Sequence, residues 1–250
     1  MTSQYLPDRH KWLMERPIAH RGLHQNPETP ENSLAAFRAA MDAGYPIELD
    51  LQISADGELF VFHDRSLVRM SGVQGRLENA TANDLRRLRL SKTDEPIPTL
   101  SEVLQFVDGA VPILIETKDY RHRYGKIEKP LLKLLDDYDG QFAVQSFDPQ
   151  SLIWLKRHAP HICRGQLLHG FKALPQRSLT DPDFVACSID DLNSPLIKST
   201  ASLLVLAWTI RTQSQLTKAP SVADNFIFDG HPTVFPLIKG TEQGDSTSQK

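Results

Sequence analysis

The sequence predicts an α/β chain closed into a parallel (β/α)8 TIM barrel, and three observations carry that expectation. Eight apolar runs, around Ile18, Ile47, Ile113, Ala143, Gly165, Val185, Val205 and Ile227, alternate with stretches of helical periodicity. The chain has 250 residues, a length such barrels reach as one domain. Polar and aromatic residues recur where the runs end: His20, Glu48 with Asp50, Glu116 with Lys118, Gln145 with Phe147, Trp208, and Asp229. Strand C-terminal ends are where this architecture carries its chemistry. One domain over residues 1–240 is expected, with a small insertion at about 64–99 and a polar tail at 241–250.

Taken in order, residues 9–15 read as a short helix that closes the bottom of the barrel. A strand ending at His20 leads into a helix with Leu34, Phe37 and Met41 on one face, Thr29-Pro30 or Asn32 as its start signal and Gly44 as its stop. The second strand, residues 46–51, continues into a hairpin around Ala55, Asp56 and Gly57. A turn centred between Ala55 and Asp56 sets Val61 opposite Asp50 and His63 opposite Glu48. The long connection that follows contains a helical turn at 82–88, announced by Thr81 and Asp84, and reads either as a lid or as a structural insertion. Thr99 and Glu102 then form a capping box for a helix through Phe106. The remaining helices are expected at 126–138, 149–158, 194–200 and 212–218, and a segment near Phe171 stands between the strands at Gly165 and Val185.

Hydrophobic content of 40% and charged content of 24% are ordinary for a globular chain with a sizeable core. A net charge of −3 with mixed signs argues against nucleic acid as a partner. The sequence offers neither a secretory leader nor a run able to span a bilayer, so no membrane insertion and a cytoplasmic location are expected. Cys163 and Cys187 lack metal-like spacing and read as buried thiols of a reducing compartment. Self-association into a homo-oligomer is left open.

Glu48, Asp50 and Glu116 at adjoining strand ends repel one another unless a cation neutralises them. Each alone is accounted for by an ion pair with Arg21 or Lys118; together they point to one hard divalent cation, Mg²⁺ or Ca²⁺, with oxygen ligands. Zinc suits this donor set less well. Arg21 and Lys118 suit a phosphate, the first as a planar fork and the second as a point charge. His20 and His63 supply a general acid and base that titrate near neutral pH.

The ordered strings HRG (from His20), PEN (from Pro30), AF, ELD (from Glu48), DG, HD (from His63, with Arg69 and Gly72 following), IPTL, IETK, QSFDP and AWTI resemble the glycerophosphodiester phosphodiesterase family over residues 18–211. The combination of HRG, PEN, ELD and HD is the specific part; IPTL or SFDP alone is weak. The resemblance implies a (β/α)8 barrel that hydrolyses glycerophosphodiesters to glycerol 3-phosphate and an alcohol with a divalent cation. It implies that Glu48, Asp50 and Glu116 hold the metal, that His20 and His63 form the acid/base pair, and that Arg21 and Lys118 hold the phosphate. It further implies that Glu31 supports a histidine or the metal and that Trp208 lines the glycerol or alcohol side. The chain departs from the family near its end, where FIFDGHP stands in place of a threonine-aspartate-proline pattern. His24, His169 and His231 are expected to be structural or exposed, and Phe147 and Phe171 to pack in the core or rim. Two further readings are a lysophospholipase D or sphingomyelinase D-like enzyme acting on a lipid headgroup, which an apolar rim on the insertion would favour, and a non-catalytic barrel that binds phosphodiesters.

Overall fold

A computed structural model describes residues 10–170, 177–198, 200, 202–221 and 223–229. Parallel strands β1 (Ile18–Ala19), β2 (Ile47–Ile53), β4 (Ile113–Thr117), β5 (Phe142–Ser146), β6 (Arg164–Leu168), β7 (Phe184–Ser188), β8 (Leu204–Ile210) and β9 (Asn225–Phe228) form a barrel. It closes where β1 pairs with both β9 and β2. Strand β3 (Leu59–Val61) pairs antiparallel with β2. It takes the edge of β2 that the two-residue β1 leaves open beyond Ile47. The eight expected barrel strands are all present.

Period-two alternation explains the placement of the polar residues. Ile18, Leu114, Ala143, Leu206 and Ile227 point into the barrel and form one apolar cluster, which Trp12 and Leu13 of α1 (Trp12–Glu15) plug from below. Two residues further along each strand stand His20, Glu116, Gln145, Trp208 and Asp229, so the layer above that plug is polar. Gly165 leaves the space that Phe184 fills: a Cβ there would lie 2.1 Å from the ring. The opposite strand faces, with Leu49, Ile115, Val144 and Val185, pack under the helices as a separate, larger cluster.

Helix α2 (Leu34–Asp42) starts later than Thr29-Pro30 or Asn32 would suggest. Ser33 is its N-cap, its Oγ accepting from the Ala36 N–H at 3.1 Å. The helix buries Ala36, Phe37 and Ala40 and stops before Gly44, whose φ is +72°. The capping boxes are as expected: Thr81 and Asp84 cap α4 (Ala82–Arg86), and Thr99 and Glu102 cap α5 (Leu100–Val107). Further on, α6 (Glu128–Leu135), α7 (Pro149–His158), α9 (Pro195–Lys198) and α10 (Gln213–Lys218) fall at expected places. The segment near Phe171, His231 and the tail at 241–250 lie outside the described residues.

The hairpin register differs from the expectation by one residue. Leu51 faces Val61 and Gln52 faces Phe60, so the turn is centred on Asp56. Ser54 accepts from the Gly57 N–H and donates to Glu58 O, with Gly57 at φ +98°, a conformation suited to glycine. That lengthens the loop and sets Val61 against Leu51 instead of Asp50. His63 does not face Glu48 across a ladder; it follows the end of β3, and the segment is tied back by the Phe62 N–H to Asp50 O at 2.8 Å.

The insertion carries its own small core. Leu67, Met70, Leu77, Leu85, Leu90 and Ile97 pack with Phe60 and Phe62 on the outer side of the hairpin. Its short helix α3 (Val68–Ser71) ends at Gly72, φ +72°, whose N–H bonds Val68 O.

Candidate active site

At the C-terminal mouth, an open pocket is lined by His20, Arg21, Glu48, His63, Glu116 and Lys118 on one side. Gln145, Phe147, Leu167, Trp208 and Ile227 line the other side. The structure thus brings together the two histidines, the two cations, Trp208 and two of the three carboxylates. The third, Asp50, lies just beneath and is fully buried.

One oxygen from each of Glu48, Asp50 and Glu116 lies within 4.8 Å of the others. Lys118 Nζ sits 3.1 Å from Asp50 Oδ1 and also contacts Glu116. Arg21 Nε lies 3.1 Å from Asp50 Oδ2, while its Nη1 donates to Glu31 at 2.6 Å. Asn32 donates to Asp50 Oδ2 at 2.8 Å. Asp50 therefore has two cations and an amide donor beside it, and Glu48 has fewer: it accepts the Arg21 backbone N–H at 3.0 Å and has His20 Nε2 at 4.0 Å.

Titration follows this imbalance. Burial, reinforced by the charges of Asp50 and Glu116, holds the Glu48 carboxyl well above the usual range. Burial pushes Glu116 up to about 7, against the attraction of Lys118. Burial opposes ionisation of Asp50 as well, but Lys118 and Arg21 outweigh it and keep this carboxyl far below its ordinary value. Two cations therefore face three carboxylates, with Arg21 shared further with Glu31. An all-oxygen, negatively surplus trio fits a hard divalent cation.

Both histidines are built as dyads. His20 Nδ1 is 2.6 Å from Asp229 Oδ1, and His63 Nδ1 is 2.7 Å from Asp64 Oδ1. Burial lowers the proton affinity of both rings. A neutral imidazole beside a carboxylate places its hydrogen on the nitrogen facing the acceptor, because a carboxylate can only accept. Nε2 of each ring is then the basic nitrogen left for the pocket. Asp229 is also held by Arg211, and His24 Nε2 approaches it at 3.7 Å.

Glu31, expected to support a histidine or the metal, is bound by arginines. It accepts from Arg21 and from both Nη atoms of Arg69, and burial notwithstanding, these hold its carboxyl down at about 2. Trp208 turns its ring into the pocket with Phe147 edge-on at 5.7 Å. Its Nε1 and the Oε1 of Gln145 are buried without a hydrogen-bond partner among the described residues. Phe147 is a rim residue, 45% exposed, and His169 is exposed with its ring 5.8 Å from Trp208.

Four contributors have no role in the site on the sequence reading: Asp229, Asp64, Asn32 and Arg69. Asp64 and Asn32 adjoin His63 and Glu31 in the HD and PEN strings, which was the available signal. Asp229 stood among the strand-end residues, but nothing local linked it to His20, 209 positions away.

Comparison with known proteins identifies the family. The model of the glycerophosphoryl diester phosphodiesterase family matches residues 20–225. A glycerophosphodiester phosphodiesterase of Caldanaerobacter subterraneus is 36% identical over 160 residues, covering 60% of this chain and 65% of that protein. One from Bacillus altitudinis is 34% identical over 160 residues, covering 60% of this chain and 64% of its own length. The alignments thus span slightly under two thirds of these two relatives. The enzyme of that name in Bacillus subtilis is 28% identical over 259 residues, covering 89% of this chain and 85% of its own. A phosphodiesterase of Oleispira antarctica, solved with the product sn-glycerol 3-phosphate, superposes with a TM-score of 0.80 at 24% identity, covering 91% of this chain and 97% of that one. With the family model matching most of the chain, residues 20–225, this chain belongs to the glycerophosphoryl diester phosphodiesterase family.

Proposed function

We propose that the chain hydrolyses glycerophosphodiesters to glycerol 3-phosphate and an alcohol, using one divalent cation, Mg²⁺ or Ca²⁺, and histidine acid/base catalysis. The observation that carries this reading is the undercompensated carboxylate trio sharing one pocket with two carboxylate-backed imidazoles. Glu48, Asp50 and Glu116 are the metal-holding set, and a bound cation would supply Lewis-acid polarisation of the phosphoryl group. Arg21 and Lys118 line the pocket and bind the diester's phosphate, stabilising charge that develops on its oxygens.

His20 and His63 move the protons. One imidazole accepts the proton of the attacking hydroxyl at Nε2, and the other donates from Nε2 to the departing alkoxide. Asp229 and Asp64 fix each ring's orientation and favour the cation that forms when it takes up a proton. Two nucleophiles fit this pair: water, or the neighbouring glycerol hydroxyl, which would form a cyclic phosphate that water then opens. Trapping the cyclic phosphate distinguishes them. Replacing either histidine by Ala lowers turnover at least ~100-fold; near-native turnover would remove that residue's role.

The deciding assay is release of glycerol 3-phosphate from glycerophosphocholine and glycerophosphoethanolamine after EDTA, then with Mg²⁺ or Ca²⁺ restored. Release that returns with either ion supports the reading and names the ion; no release from folded protein with both ions overturns it. Action on a lipid headgroup gains little support from the insertion, because Leu67 and Met70 are buried in its core. Val68 and Val73, 39% and 44% exposed, are the insertion's large exposed apolar side chains among the described residues. A cytoplasmic location is the reading that two buried cysteines, Cys163 and Cys187, support. No helix among the described residues is long and apolar enough to cross a membrane.

A further inference from the structure

The insertion sends one side chain to the site. Arg69, on α3, donates from Nε and Nη2 to the two oxygens of Asp64 at 2.5 and 2.9 Å, and from Nη1 and Nη2 to the two oxygens of Glu31 at 2.9 and 2.7 Å. Each of those carboxylates holds a pocket residue: Asp64 holds His63 Nδ1 at 2.7 Å, and Glu31 holds Arg21 Nη1 at 2.6 Å. Asn26 closes the Glu31 side by donating to Oε2 and accepting the Glu31 N–H, both at 3.0 Å. The guanidinium is thus the shared fixture of an imidazole and a phosphate-directed cation that come from different segments of the chain.

We propose that Arg69 is a positioning residue through which the insertion completes the active site, setting His63 and Arg21 at a fixed separation for one phosphodiester. The inference rests on the phosphodiesterase reading. Two features make α3 a suitable base. Leu67 and Met70 on either side of Arg69 are buried in the insertion's core, and the Leu67 N–H bonds Gly75 O, so the helix is anchored independently of the arginine. The geometry also demands a planar fork: a lysine ammonium at this distance can neutralise the charge but cannot chelate two carboxylates at once. A purely structural role is a poor match, since each segment Arg69 reaches is anchored without it: the Glu31 loop through Asn26, the His63 segment through Phe62, and α3 through the insertion's own core.

The test compares wild type with Arg69→Lys, Arg69→Ala and, as a surface control, Arg86→Met, with glycerophosphocholine and Mg²⁺ or Ca²⁺. Residues that orient a catalytic group from behind commonly contribute about 10–100-fold. The expected result is a loss of that order in kcat/KM for both Arg69 variants, carried mainly by kcat, with melting temperatures near wild type and full activity in Arg86→Met. Millimolar guanidinium should restore part of the Arg69→Ala loss and leave wild type unaffected. Arg69 variants within about twofold of wild type would overturn the proposal. So would a loss that tracks melting temperature and resists guanidinium. If Arg69→Ala does not fold, Arg69→Lys decides by the same kcat criterion. Wild type that releases no glycerol 3-phosphate would overturn the phosphodiesterase reading instead, so the two failures are distinguishable.

Discussion

Glu48 is the carboxylate of the trio with least compensation, so Glu48→Gln should make the metal-free protein more stable while removing its metal response. Oxygens of Glu48, Asp50 and Glu116 lie within 4.8 Å of one another. Two like charges at such a distance repel by about 3–4 kcal/mol at an effective dielectric of about 20. Arg21 and Lys118 cancel most of the charge on Asp50, and Lys118 part of that on Glu116, which leaves roughly one uncompensated pair. Relief of about 2–4 kcal/mol follows at pH 8, or roughly 5–15 °C in melting temperature for a chain of this size. The glutamine still accepts the Arg21 N–H, so little packing is lost. The sign with pH is definite. Burial and the neighbouring carboxylates raise the folded-state pKa of Glu48, so the folded protein favours its protonated form. The wild-type penalty is absent below the ordinary glutamate value, grows as pH rises from there toward that elevated value, and levels off above it. The variant's advantage should therefore shrink toward pH 5. Thermal unfolding by circular dichroism in EDTA from pH 5 to 8, repeated with excess Mg²⁺ or Ca²⁺, measures each part. Metal at 100 times its Kd stabilises wild type by about 2.7 kcal/mol, and the variant should gain much less. A variant that melts at or below wild type in EDTA at pH 8, or one whose advantage does not change with pH, would refute the surplus-charge argument.

Asp229→Asn removes the charge behind His20 and lets an amide donor face Nδ1, which favours the wrong tautomer. Turnover should fall on the order of 10²–10⁴-fold with substrate binding largely kept, and steady-state kinetics giving kcat within about threefold of wild type would end that role for Asp229. Ser33→Ala deletes the cap of α2 and should cost about 1 kcal/mol in urea unfolding with kcat unchanged, since Ser33 touches none of the pocket groups; no measurable loss would mean that Pro30 and Asn32 fix the helix start without it.

The barrel was legible because its signals are local and repeated. Six of the eight barrel strands carry an apolar residue two positions before a polar one, as in Ile18 and His20 or Leu114 and Glu116, and alternation alone stacks the first set into a core and the second into a mouth. The histidines, cations and carboxylates of the pocket lie on these strand ends or directly after them, so fold and candidate site were readable by one rule. The capping boxes at Thr81 and Thr99 were readable for the same reason, each being complete within four residues.

What escaped the sequence depends on backbone conformation and on partners far along the chain. The hairpin register turned on Gly57 at φ +98°, which adds a residue to the loop and shifts the pairing, yet His63 still reaches the pocket because it lies beyond the ladder. Asn32 shows the same dependence more strongly. Read as a helix start, it instead adopts φ +58°, a region that asparagine tolerates better than most residues, and this turns its amide toward Asp50. Had Asn32 capped α2, its side chain would have been spent on helix N–H groups; Ser33 takes that task and frees the amide. A two-residue division of labour of this kind leaves no periodic trace. Arg69 and Asp229 leave none either, because the carboxylates and imidazole they serve are assembled only when the barrel closes and the insertion packs.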